Sequence, residues 1–127
     1  MKVYSEEELQ LVNIYIGLSI KLGRLKQGLS QLQFAILVET NNTNIGRIER
    51  AEHYTGWDKI LLLTQYLNLD FCSLLTVKTK KDLLGIVEEC YKLEGRLTKE
   101  KNKYYIDLHH RIEGLHKKIL ANNKGAK

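Results

Sequence analysis

The sequence predicts an all-α protein: a five-helix domain over residues 1–76, followed by a helical extension over 77–127. Three observations carry this. The 127-residue chain has no proline, so no helix interior loses an N–H to one. Its apolar residues recur at steps of three and four, the helical period. Ser, Thr, Asn or Asp stands before these apolar runs and Gly or Asn after several of them, as helix starts and stops require.

A hydrophobic content of 43% is enough for a packed core, and no run of 18 apolar residues exists to span a membrane. The opening MKVYSEEELQ is acidic and lacks the apolar stretch of a signal peptide. Cys72 and Cys90 lie in unrelated contexts and read as reduced thiols, which together with these absences predicts a cytoplasmic protein.

Ser5 with Glu8 three residues on is a capping box, and Glu6, Glu7 and Glu8 suit a helix N-terminus. The first helix should run to about Lys26, burying Leu9, Val12, Ile16, Ile20 and Leu25. Gly17 and Gly23 are costly inside it, by roughly 1 kcal/mol each against Ala, which a close neighbouring helix would explain. Gly28 is a left-handed stop.

Two short helices follow. Ser30 caps the first, with Phe34, Ala35, Leu37 and Val38 facing inward; Glu39-Thr40 is the turn. Asn41 caps the second, with Ile45 and Ile48 inward and Asn42, Thr43, Gly46 and Arg47 outward. Small or hydrogen-bonding residues without an acid are the profile of a helix suited to a DNA major groove. Residues 50–54 read as a loop. Thr55 with Asp58 caps a fourth helix with an apolar face of Trp57, Ile60, Leu61, Leu63 and Leu67, and Asn68 is its left-handed stop. Asp70 caps a short fifth helix carrying Phe71, Leu74 and Leu75.

From 79 to 120 the apolar positions Leu83, Val87, Cys90, Leu97, Tyr104, Leu108, Ile112, Leu115 and Ile119 recur mostly at three, four or seven, as a coiled-coil seam does. Glu94 and Lys101 interrupt the seam and Gly95 weakens its middle. One long rod and two helices folded back near Gly95–Thr98 are both open. The stripe needs a partner: a second copy, making this the dimerisation surface, the first helix, or another protein. The last residues, ANNKGAK, read as a frayed tail.

Residues 16–75 resemble the Cro/repressor-type, XRE-like helix-turn-helix regulators of bacteria and phages. The resemblance lies in Ile16-Gly17, Ile20, Arg24, Gly28-Leu29-Ser30-Gln31, Ala35, Ile45, Arg47-Ile48-Glu49-Arg50 and Leu67-Asn68-Leu69-Asp70, without a gap. It implies a lambda-repressor-like domain binding double-stranded DNA, commonly as a homodimer, with half-sites about one helical turn apart. It implies base reading by Asn42, Thr43 and Arg47, a phosphate contact by Gln31, and an Arg24–Glu49 salt bridge orienting the reading helix. Asn41, Asn44 and Arg50 join Gln31 as candidate phosphate contacts; Arg50, like Lys26, His53 and Tyr54, is of a kind that is usually just solvated. The chain departs from the family at Glu39 and Ala51, where Gly is usual, and in lacking Pro before the fourth helix. A left-handed Glu39 would be strained.

Charge qualifies this reading. Residues 1–75 hold 7 Lys/Arg and 8 Asp/Glu, and residues 76–127 hold 13 and 7, so the reader is near neutral and the extension basic. Since phosphate neutralisation supplies much of DNA affinity, this favours a rival: a protein-interaction module, an antitoxin or adaptor using the domain as scaffold. No Gly-rich phosphate loop, nucleophile elbow or paired-carboxylate pattern suggests an enzyme, and His109, His110 and His116 lack zinc-site spacing, so no cofactor or metal is expected. The sequence-level expectation is a transcriptional regulator, a repressor, controlled by protein level or a regulatory protein.

Overall fold

The computed structural model describes residues 3–125. They form six α-helices and no strand: α1 Glu6–Lys26, α2 Gln31–Leu37, α3 Asn42–Glu49, α4 Trp57–Tyr66, α5 Lys80–Leu93 and α6 Lys99–Gly125. None of these is long and apolar enough to cross a membrane.

Helix α1 is the shared centre. It starts at the Ser5–Glu8 capping box, with the Glu8 N–H donating to Ser5 Oγ at 3.2 Å and the Ser5 N–H donating to Glu8 Oε1 at 3.1 Å. Two apolar stripes leave it on opposite sides at 3.6 residues per turn. Ile20, backed by Ile16, packs with Phe34, Ala35, Val38, Ile45, Ile48, Ile60, Leu63 and Leu67 of α2–α4. Leu11, Ile14 and Leu18 pack with Leu83, Val87 and Cys90 of α5 and Tyr105, Leu108, Ile112 and Leu115 of α6. The single stripe expected for this helix is therefore corrected. Leu9 is 43% exposed, and Val12, Ile16 and Leu25 are only half-buried.

The same packing corrects the expected dimerisation seam. The extension folds back as a hairpin between Leu93 and Lys99 and docks on α1. Leu83, Val87, Cys90, Leu108, Ile112 and Leu115 are buried within their own chain, Tyr104 and Ile119 pack at the edge of that core, and Leu97 is exposed in the bend. A second copy cannot use a stripe already covered by α1. The boundary expected at residue 76 falls in the connection before α5, but the cores do not divide there, because α1 feeds both. Helix α6 also continues through residues 121–125, where a frayed tail is expected; Ala126 and Lys127 lie outside the described residues.

Four helices end alike. After α1, α2, α3 and α4 the chain turns through a left-handed residue: Gly28, Glu39, Ala51 and Asn68, with φ of 71°, 58°, 52° and 58°. At each, the next N–H reaches back to a carbonyl in the last turn: Leu29 to Arg24, Thr40 to Ala35, Glu52 to Arg47 and Leu69 to Thr64. This is the Schellman termination. Glycine is absent from three of these four positions, and at Glu39 and Ala51 the residue itself has no left-handed propensity.

Smaller corrections follow the same logic. Leu37 is 50% exposed, because α2 ends at that residue and only Phe34, Ala35 and Val38 reach the core. Trp57 is 70% exposed as the first residue of α4, whose start is Gly56, with no side-chain cap from Thr55. The expected fifth helix is a single 3-10 turn, Cys72–Leu74; Asp70 accepts from the Cys72 N–H at 3.2 Å, and Leu75 stays exposed.

Candidate nucleic-acid interface

Helix α3 has one face built into the protein and one free. Ile45, Ile48 and Glu49 are buried. Asn41 Oδ1 accepts from the Asn44 N–H at 2.9 Å, fixing the start of the helix. Asn42, Thr43 and Arg47 are exposed, and none makes a side-chain hydrogen bond or ion pair among the described residues.

Gly46, expected outward, is buried. By helical angle it lies within the arc of Asn42, Thr43 and Arg47, so its cover comes from outside the core. A Cβ there would meet Arg50 Nη1 at 2.8 Å. The Arg50 side chain runs back one turn and lays its guanidinium over the glycine. Arg50 thus belongs to the same exposed face, with Glu52 accepting from it at 3.2 and 3.5 Å.

The inner end of α3 is held by a buried ionic network. Arg24 Nε and Nη2 donate to Glu49 Oε2 and Oε1 at 2.6 and 3.0 Å, and Arg24 Nη1 donates to the Leu29 carbonyl at 2.7 Å. Both residues are under 5% exposed. Paired forks of this kind fix orientation as well as charge. Gln31 Nε2 also donates to Glu49 Oε1, at 3.0 Å. The residue expected at a phosphate is therefore first a tie between α2 and α3, with its amide oxygen and second N–H left over. Helix α1 approaches this junction closely: a Cβ on Gly17 would lie 2.6 Å from the Ile48 carbonyl oxygen and 2.7 Å from that of Glu49.

The other candidate phosphate residues divide. Asn41 is exposed but serves as the α3 cap, and Asn44 Nδ2 donates to Thr40 Oγ1 at 3.0 Å, so the side chains of both support the turn. Tyr54 is tied to α1, its hydroxyl donating to Glu6 Oε1 at 3.0 Å; burial, then this bond, raises its pKa. Lys26 faces Glu89 at 3.9 Å across an exposed pair, and the His53 carbonyl accepts from Asn13 Nδ2 at 3.1 Å.

No group of three or more His, Cys, Asp or Glu among the described residues is placed to hold a metal ion. His109 Nδ1 lies 2.7 Å from Glu113, along α6. Cys90 is buried against the Leu18 carbonyl, and burial pushes its thiol up to about 12, which leaves it a protonated core residue.

Chemically, the exposed face offers amide, hydroxyl and guanidinium groups on a rigidly backed helix. Asn can meet adenine and Arg guanine with two bonds each, and Thr suits either edge or a thymine methyl. Comparison with protein-family models, curated proteins and solved structures gives no match to this chain.

Proposed function

We propose that this chain is a sequence-specific DNA-binding transcriptional regulator, a repressor, with a lambda-repressor-like helix-turn-helix arrangement of α1–α4 that sets α3 in the major groove. The observation that carries this reading is the contrast across α3. Its inner face is fixed by Ile45, Ile48 and the Arg24–Glu49 fork, while Asn42, Thr43 and Arg47 have no internal work. Arg50 over Gly46 adds a second cation beside Arg47. In this reading Asn42, Thr43 and Arg47 meet base edges, and Gln31 and Arg50 meet backbone phosphates.

Two copies on one operator remain part of the proposal, on a surface other than the covered α5–α6 stripe. A partner-docking module is the rival reading. It is favoured by the exposed Leu32 and Ile36 on α2, 57% and 66% exposed and one turn apart, beside a nearly neutral reader. Titration of the full chain against mixed-sequence duplex DNA at rising salt separates the two. A regulator loses affinity linearly on logarithmic axes, by about 0.9 in slope per phosphate neutralised. Flat, weak binding across the salt range contradicts it.

A further inference from the structure

The bend of the extension lies beside the start of α2. Residues 95–103 hold four cations, Arg96, Lys99, Lys101 and Lys103, against one acid, Glu100. Between this bend and the α1–α2 connection is an open cleft of about 860 Å³. Ser30 and Gln31 line one side of it, Arg96 and Lys101 the other, and Arg50 joins them.

We infer that this bend is a second contact to the DNA backbone, with Arg96 and Lys101 meeting phosphates next to those reached from Gln31 and Arg50. The inference rests on the DNA-reading proposal and adds to it a basic arm supplied by the extension. It addresses the charge shortfall directly: the reader has no net positive charge of its own, whereas the bend does.

The bend is held in place from behind. Glu94 is 3.3 Å from Lys21 Nζ, both side chains being under 10% exposed, and it accepts from the Tyr105 hydroxyl at 2.8 Å. Lys21 also lies 4.7 and 4.6 Å from the ring centres of Tyr104 and Tyr105. Burial pushes the Glu94 carboxyl up, but the charge of Lys21 and the hydrogen bonds outweigh it and hold its pKa below the usual range. Its charge is thus neutralised inside the fold. On the other side, Tyr91 donates to Asn102 Oδ1 at 3.1 Å and stands edge-on to Tyr105. A preorganised bend loses little freedom on binding.

The remaining charges on the cleft leave cations to spare. Glu49 is occupied by Arg24 and Gln31. Lys101 stands 3.8 Å from the Glu94 carboxylate that Lys21 and Tyr105 already share, and its side chain is 43% exposed. Arg96 is exposed, with no ion pair among the described residues. Glu100 is the one exposed carboxylate opposing them on the lining.

The test compares full-length Arg96→Gln/Lys101→Gln with Lys117→Gln/Lys118→Gln. The second variant removes the same charge from exposed positions some 16 residues, roughly 24 Å, further along α6. Both are titrated against mixed-sequence duplex DNA over a range of salt, with thermal melts to confirm folding. The bend variant should lose about 1–2 units of salt slope. Its affinity should fall several-fold for every sequence alike, while the distal variant matches the unaltered chain. Arg96→Glu, which changes the charge by the same two units at one position, should weaken binding comparably without shifting the melt. Equal losses in both double variants, or none in the bend variant while the unaltered chain binds, overturn this inference alone. Absence of salt-dependent binding by the unaltered chain overturns the DNA reading and the inference together.

Discussion

Arg24 grips Glu49 with two guanidinium N–H groups, at 2.6 and 3.0 Å, across 25 residues of sequence. The pair joins the end of α1 to the end of α3 and is almost fully buried. Removing one half strands the other charge, at about 3–5 kcal/mol, whereas an apolar pair of similar volume is often neutral or stabilising. Arg24→Ala should therefore lose about that much in urea unfolding, and Arg24→Met/Glu49→Leu should recover most of it. If the double variant recovers stability but not DNA affinity, the fork's role is to orient α3.

Gly17 and Gly85 make opposite predictions. A methyl at Gly17 collides with two backbone oxygens of α3 within 2.7 Å, and backbone cannot yield cheaply. Gly17→Ala should cost about 2 kcal/mol or more in denaturant unfolding. At Gly85, exposed on α5, a Cβ meets nothing within 4 Å. Gly85→Ala should gain about 0.8–1 kcal/mol in the same measurement, the helix-propensity difference.

Glu39 holds φ 58° at the end of α2, a conformation that costs a side-chain-bearing residue about 1–2 kcal/mol. Glycine relieves it but gains freedom when unfolded, worth about 0.5–1 kcal/mol the other way. Glu39→Gly should raise stability by about 0.5–1 kcal/mol in urea unfolding. Ala51 shares the conformation but buries its methyl in the core with α1, α5 and α6, so Ala51→Gly should gain less.

Stability should fall on mild acidification through His116. Its Nε2 is buried without a hydrogen-bond partner among the described residues, and burial, then the charge of Lys80, lowers its pKa from 6.5. The unfolded chain takes up this proton first, so stability is complete above 6.5 and is lost as pH falls through the lower folded value. Glu94, whose folded pKa is depressed from 4.5, contributes stability that is lost below that pH. Thermal melts of His116→Gln should show a shallower decline as pH falls below 6.5, with the steep acid fall unchanged.

What the sequence revealed was mostly local. Ser5, Ser30 and Asn41 are caps in the structure because a cap needs only neighbours two or three residues away. Gly28 and Asn68 end helices for the same local reason, while Ala51 does so with no propensity to announce it. What stayed hidden depends on distant partners. Helix α1 is buried on two sides, which a one-stripe reading of its apolar residues does not capture. The α5–α6 pattern showed that a face is buried, but periodicity does not name the occupant, and α1 fills it. At the candidate interface, helical spacing is enough to put Asn42, Thr43 and Arg47 on the outer face of α3, where they are exposed. The Gln31–Glu49 bond and the folding of Arg50 over Gly46 require the packed geometry of α2 and α3.

The most direct test of the central claim is selection from a random duplex library by the full chain, with Asn42→Ala/Arg47→Ala as control. Base reading by α3 predicts an enriched motif that the control loses while it stays folded, and a palindromic motif would give the half-site spacing of two copies. A folded, unaltered chain that enriches no motif, or a control that enriches the same one, would contradict base reading by α3.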